Sequence, residues 1–255
     1  MDEITATPRR NIRLIIAYDG GAYHGWQRQA SGIETVQEVV ERVAGRVVRH
    51  PVTLHGASRT DAGVHAEGQC ANFYTTSMTI PLEGMRRAIV SRLPDDISIL
   101  SAHEVENSFH ASRCAIGKTY RYRIFVAPTR PVSLARQVYH FWRGLDPHRM
   151  KQASARLVGT HDFRGLTSSA EERENTVRTI HRCDVSEHGN EIHVVVQGDG
   201  FLYNMVRNIV GTLVEIGRGR WSCEQIDKIL STRDRRNAGP TAPPQGLTLV
   251  CVHYE

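Results

Sequence analysis

Two hydrophobic periods alternate along the first hundred residues, and that alternation restricts the chain to folds in which helices pack on a sheet. Residues 12–18 (Ile-Arg-Leu-Ile-Ala-Tyr with a doubled Ile at 15 and 16) are dense in β-branched side chains and stop at Asp19-Gly20-Gly21, which predicts a strand ended by a turn. Thr35-Val36-Gln37-Glu38 has the form of a capping box, and Val36, Val39, Val40, Val43 and Val47 then recur at helical spacing. An amphipathic helix is therefore expected on the sheet, with Glu41, Arg42, Arg46 and Arg49 turned to solvent. Residues 69–74 read as a strand, Leu82, Met85, Ile89 and Leu93 as a second helical stripe, and 97–105 as a further strand. Strand, helix, strand, helix, strand makes an α+β unit.

The second half repeats the theme. Tyr120, Tyr122, Ile124 and Val126 alternate onto one face of a strand, with Arg121 and Arg123 on the other. Asp146-Pro147 supplies an N-cap and first helical residue for a helix running to about Leu157. Residues 176–180 open a hairpin that turns near Gly189-Asn190 and returns through Ile192, Val194 and Val196. Leu202, Val206, Ile209, Val210 and Leu213 form the buried stripe of another helix, while Asn204, Arg207, Asn208 and Gly211 share a different face from which Arg207 can look into a cleft. Ser222-Cys223-Glu224-Gln225 reads as the cap of a last helix, and Ala242-Pro243-Pro244-Gln245-Gly246-Leu247 as a rigid turn before the terminal strand. The expected organisation is a tail (1–10), an N-terminal α/β subdomain (11–107) and a C-terminal α/β subdomain (108–255).

Residues 56–65 are the most constrained stretch chemically. Gly56, Ala57, Ser58 and Gly63 surround Asp61 with little bulk, so a substrate can approach the backbone, and Gly63 can take positive φ in a tight turn. Arg59 lies two residues before Asp61, so in an extended segment both side chains leave on the same side. A guanidinium there favours the ionised acid, which suits a nucleophile and not a proton donor. The same spacing also occurs in surface turns that hold only an ion pair. The loop 18–29 interleaves Tyr18, Tyr23 and Trp26 with glycines, amides and Arg28, groups that either stack on bases or belong to the core. His161 beside Asp162 reads as a hydrogen-bonded turn and not as an acid-base pair.

Composition narrows the partners. A net charge of +5 and a pI near 9.1 favour a polyanion. Five cysteines without a Cys-x-x-Cys pair argue against a disulfide framework and for a reducing, cytoplasmic setting. No run approaches the roughly 18 apolar residues that span a bilayer, so no membrane partner is expected.

Arg59-Thr60-Asp61-Ala62-Gly63-Val64-His65 resembles the active-site motif of the TruA family of tRNA pseudouridine synthases. Further segments resemble that family in family order: Tyr18-Asp19-Gly20 followed by Tyr23-His24-Gly25-Trp26-Gln27, then Lys118-Thr119-Tyr120-Arg121-Tyr122, Gly159-Thr160-His161-Asp162-Phe163, and Phe201-Leu202 with Met205-Val206-Arg207. One segment departs: the family commonly reads Phe-His-Ala-Arg, whereas here Ser112 follows Phe109-His110-Ala111 and the arginine is Arg113. The resemblance implies that Asp61 is the catalytic aspartate, Arg59 the arginine beside it and Arg207 an arginine that pairs with it. It further implies that Tyr120 contacts the target uridine and that Leu247 lines the pocket. The implied fold is two α/β, RRM-like subdomains whose mainly antiparallel sheets join into one extended sheet, with the active site in the cleft between them. The implied activity is isomerisation of uridine to pseudouridine at positions 38, 39 and 40 of the tRNA anticodon stem-loop, by a homodimer, with no cofactor and no metal.

Two rival readings account for parts of the pattern. A noncatalytic RNA-binding protein would use the aromatics to stack on bases and Asp61 as a turn residue, and would leave RNA unmodified. A metal-dependent hydrolase would gather His55, Asp61 and His65 around an ion.

Overall fold

β1 (Arg10–Tyr18) runs between two antiparallel neighbours, β3 (His65–Thr75) and β4 (Ile97–Val105), in the first half of the chain. Its alternation does what the sequence requires: Ile12, Leu14 and Ile16 are fully buried. The short β2 (His55–Gly56) pairs with Asn72 and Ala71 of β3 and delivers the chain to Asp61. Two helices, α1 (Val36–Val48) and α2 (Leu82–Val90), supply Val36, Val39, Val40, Val43, Met85 and Ile89 to the core. Each such side chain contributes about 1.5–3 kcal/mol by leaving water. The Thr35 hydroxyl caps α1 by accepting from Glu38 N at 3.4 Å.

This computed structural model describes residues 9–29, 32–168 and 174–255. One compact unit comprises the chain up to Ala115 together with Tyr254 and Glu255, and the other comprises residues 116–253. The division falls later than residue 107 because the chain after β4 stays with the first unit. Asn11 Nδ2 donates to Phe109 O, Ala111 N donates to Asn72 Oδ1, and the Tyr254 hydroxyl donates to Ala111 O.

One face of α1 differs from expectation. Glu41 does not turn to solvent: its Oε1 accepts from Gln37 Nε2 at 2.9 Å and from Leu54 N at 2.8 Å, and Arg28 lies 3.3 Å from Oε2. The strap entering β2 leaves the Leu54 amide without a strand partner, and the carboxylate supplies its acceptor. Val47 is only partly covered, and Val48 takes the inward position.

The second unit is built on β10 (Leu247–His253), β5 (Gly117–Val126), β9 (Glu191–Gly198), β8 (Val177–His188) and β7 (Gly159–Asp162), each antiparallel to the next. A three-residue strand, β6 (Tyr139–Phe141), joins β5 in parallel. The β8–β9 hairpin turns at Gly189 and Asn190 as the sequence predicts. α3 (Pro147–Ala155) starts with the Asp146 carboxylate accepting from Arg149 N, and lies against β8 and α4 (Met205–Gly217). α4 is buried on more than its apolar stripe. Asn208 is fully buried, donating to Leu166 O and accepting from the Thr241 hydroxyl and Arg235. The face carrying Asn204, Arg207, Asn208 and Gly211 is therefore mostly satisfied inside the unit, leaving Arg207 half-buried near its start. The last helix, α5 (Gln225–Thr232), lacks the expected side-chain cap: Gln225 N donates instead to the backbone carbonyl of Ser222. Among the described residues no helix is long and apolar enough to cross a membrane.

Candidate active site

The acid of the 56–65 stretch is presented by a segment tied down on both flanks. Ala57 N donates to Cys70 O, Ser58 N donates to Gln69 Oε1, and Gln69 Nε2 donates back to Ser58 O at 2.6 Å. Ser58 and Thr60 are buried, whereas Arg59 is exposed and Asp61 is partly open. That alternation fits an extended segment, in which Arg59 and Asp61 leave on the same side. Beyond the acid, Val64 N donates to Asp61 O and Gly63 takes φ +78°, closing a tight turn.

The Tyr18 to Gln27 loop is the mould for this segment. The Tyr18 hydroxyl lies 2.7 Å from Thr60 Oγ1, and Trp26 N donates to Thr60 O at 3.0 Å, so the residue before the acid is held by side chain and backbone alike. Gly20 N donates to His65 Nδ1, and a Cβ on Gly20 would lie 2.0 Å from Val64 O, a clash no side chain tolerates. Tyr18, Tyr23 and Trp26 are 5%, 6% and 1% exposed. They are core groups, with Tyr18 stacked on Trp26 at 6.0 Å, and the reading in which they stack on bases is corrected. Burial also pushes the Tyr23 hydroxyl far up, helped by its hydrogen bond to Asp96.

In the second unit three predicted residues gather around one turn. Tyr122 and Leu247 are directly opposed between β5 and β10, and Tyr120 opposes Leu249, so Tyr120 and Leu247 are diagonal neighbours on one face. Tyr120 packs edge-on against Phe201 at 5.2 Å, and both it and Leu247 are buried walls. Arg207 clamps the turn that leads into Leu247: its Nε donates to Ala242 O at 2.8 Å, and its backbone carbonyl accepts from Ala242 N. A second nitrogen of the same fork donates to Asn204 Oδ1 at 2.8 Å. The Tyr122 hydroxyl completes the clamp by donating to Pro243 O; burial holds that phenol well above its ordinary range, with Tyr139 adding to the rise and the nearby Arg207 charge opposing it.

Among the remaining candidates, Asp162 has a structural role. Asp162 accepts from Arg164 N and the Thr176 hydroxyl and pairs with Arg233. Those partners outweigh burial and lower its carboxyl. Arg113 is exposed. Among the described residues no group of three His, Cys, Asp or Glu could hold a metal ion, which removes the His55, Asp61, His65 reading. His55 instead packs at a tilt against His110, ring centres 4.9 Å apart. Thr60 is the residue that sequence reasoning passed over. Nothing in its own type marks it; the signal was the joint presence of the Tyr18 to Gln27 motif and the Asp61 motif.

A family model described as tRNA pseudouridine synthase matches residues 14–112 and 153–255. Asp61, Arg59, Arg207 and Leu247 fall inside the matched ranges, and Tyr120 falls between them. A protein of Acetivibrio thermocellus named tRNA pseudouridine synthase A is 45% identical over 245 residues, covering 96% of this chain and 100% of that protein. Proteins of the same name from Thermoanaerobacter sp. (strain X514) and Acinetobacter baumannii (strain AYE) are 42% and 41% identical, covering 96% and 94% of this chain and 100% and 90% of theirs. A chain from a solved structure titled "Crystal Structure of a Cbf5-Nop10-Gar1 Complex" gives a TM-score of 0.34 at 12% identity, over 80% of this chain and 45% of that one, and bears no weight here.

Proposed function

We propose, because the chain belongs to the tRNA pseudouridine synthase family and so isomerises uridine to pseudouridine in tRNA, that Asp61 is the acid that performs the reaction. The substrate positions in this reading are 38, 39 and 40 of the anticodon stem-loop, and the active species is a homodimer. The observation that carries the assignment is the 58–61 alternation, in which buried, hydrogen-bonded Ser58 and Thr60 hold Arg59 and Asp61 toward solvent.

The chemistry sets what these groups must do. The N1–C1′ bond breaks and a C5–C1′ bond forms; the C5 proton leaves to solvent and N1 gains one, so atoms balance without redox change or an external donor. A carboxylate can serve by attack at C1′, by attack at C6, or by taking a proton from C2′, and each route needs it ionised. Arg59 fills the gap when the uridine leaves its stack, since a flipped base costs a few kcal/mol of lost stacking. Tyr120 and Leu247 are assigned to the base itself, as an aromatic edge and an apolar wall that exclude water while the detached uracil rotates. Arg207, whose fork is held by Ala242 and Asn204 within the second unit, is assigned to the carboxylate of Asp61 by the family resemblance.

Mapping tests the substrate assignment. Unmodified tRNA transcript is incubated with the protein, treated with carbodiimide to mark pseudouridine, and read by primer extension. Stops confined to positions 38 to 40 are expected; stops elsewhere in the tRNA would overturn the assignment to the anticodon arm.

A further inference from the structure

From Asn107 to Leu145 the chain carries no Asp or Glu, while Arg130, Arg136 and Arg143 fall in the later part of that span. β6 pairs Phe141 with Val126 and then releases the chain at Trp142 and Arg143, both exposed, with the guanidinium 4.2 Å above the indole. Asp146 N donates to Gly217 O at 2.9 Å, which brings the end of α4 alongside. There Arg220 lies 5.6 Å over the Trp221 ring, and Gly219 is close enough to Arg149 that a Cβ on it would stand 3.2 Å from the guanidinium.

Arg220 has a structural explanation, shared with Arg218 at the end of α4: both pair with Glu215, which is 4% exposed, and cations suit a helix C-terminus. Arg143 has only the Trp142 ring under its guanidinium, and among the described residues neither Arg143 nor Arg149 is in an ion pair. The remaining carboxylate, Asp146, is occupied as the cap of α3. With Asp146 and Glu215 set against Arg143, Arg149, Arg218 and Arg220, the surface is net positive beside an exposed tryptophan, a combination that fits phosphates flanked by sugars and bases.

Its distance from the reacting groups follows from two rulers within the same unit. Trp142 follows the partner of Val126, which is six residues along β5 from Tyr120, or about 20 Å. Arg218 lies eleven residues beyond Arg207 along α4, or about 16 Å. Both exceed the reach of a single nucleotide. We infer that Trp142, Arg143, Arg149 and the Arg220–Trp221 pair form a second tRNA contact, which grips the phosphate backbone away from the target uridine. The inference rests on tRNA being the substrate.

The test uses the double variant Arg143→Gln/Arg149→Gln, which leaves the Glu215 pairs and every proposed active-site residue in place. Affinity for full-length unmodified tRNA is measured by filter binding across a salt series, with release of tritium from C5-labelled uridine followed at saturating tRNA. Kd is expected to rise roughly tenfold near 0.1 M salt, the salt slope to become shallower by about 1–2, and kcat to stay unchanged. Equal Kd and slope in the two proteins would overturn the inference. So would a weaker Kd accompanied by a changed mass in light scattering, which would make the patch a protein interface. Failure of the tRNA-modifying reading shows separately, as absent tritium release from wild type and variant alike.

Discussion

Thr60 sits beside Asp61 in sequence and points the opposite way, into the first unit, where its hydroxyl meets that of Tyr18. The pair transmits the rigidity of the core to the acid, because the backbone of Thr60 is also fixed by Trp26 N. Thr60→Val keeps shape but removes the hydroxyl that meets the Tyr18 phenol, at a cost of about 1 kcal/mol. It is expected to lower kcat about ten- to a hundredfold through misplacement of the carboxylate, with KM little changed. Thr60→Ser, which keeps the hydroxyl, is expected to restore kcat. Adding Tyr18→Phe to Thr60→Val is expected to cost little more than Thr60→Val alone, since both remove one interaction. Equal kcat in Thr60→Val and Thr60→Ser would deny Thr60 this role.

At the scale of elements, β5 and β9 carry a charged cluster that is unrelated to the reaction and shows in stability. Arg123 donates from Nε and from a second fork nitrogen to the two oxygens of Glu191, each at 2.8 Å, and His193 lies 2.8 Å from the same carboxylate. The Arg123 fork, foremost, holds the Glu191 carboxyl down at about 2, below the roughly 4.3 of an unfolded chain. A depressed carboxylate contributes stability that is present above the unfolded value and lost as pH falls toward the folded one. With the side chains 14% and 21% exposed, screening reduces that contribution to the order of 2 kcal/mol. Glu191→Gln is therefore expected to destabilise the protein by about that amount in urea at pH 7, with the difference from wild type closing between about pH 4 and pH 2. The same deficit at both ends of that range would show that the residue acts by packing and not by charge. Elements of this kind were legible in advance wherever periodicity dominated: β4 has the expected bounds, and Thr35 and Asp146 cap the expected helices. Glu41 was misread because a helical wheel assigns polar residues outward, and only tertiary structure places the Leu54 amide that draws it in; the burial of Asn208 by the Leu166 carbonyl and Thr241 hydroxyl was invisible for the same reason.

For the whole molecule, the residues proposed to react were legible in sequence through motif resemblance, whereas their support was not. Spacing alone placed Arg59 and Asp61 on one side of an extended segment, and burial of Ser58 and Thr60 gives that placement its physical basis. Nothing in the sequence disclosed that Arg207 would also clamp the turn at Ala242, or that Tyr122 would tie down Pro243, because those contacts join segments 35 and 121 residues apart. The aromatics of the Tyr18 to Gln27 loop were ambiguous for the same reason: a tryptophan that packs under a catalytic loop and one that stacks on RNA read alike until burial is known. The central claim, that Asp61 carries out pseudouridine formation, is tested by incubating unmodified tRNA transcript tritiated at uridine C5 with wild type and Asp61→Asn in parallel, after filter binding has shown that both hold the tRNA. Formation of the C5–C1′ bond must expel the label. Tritium release by the wild type and none above the protein-free control by Asp61→Asn is the predicted result; equal release by both proteins would place the reaction on another residue.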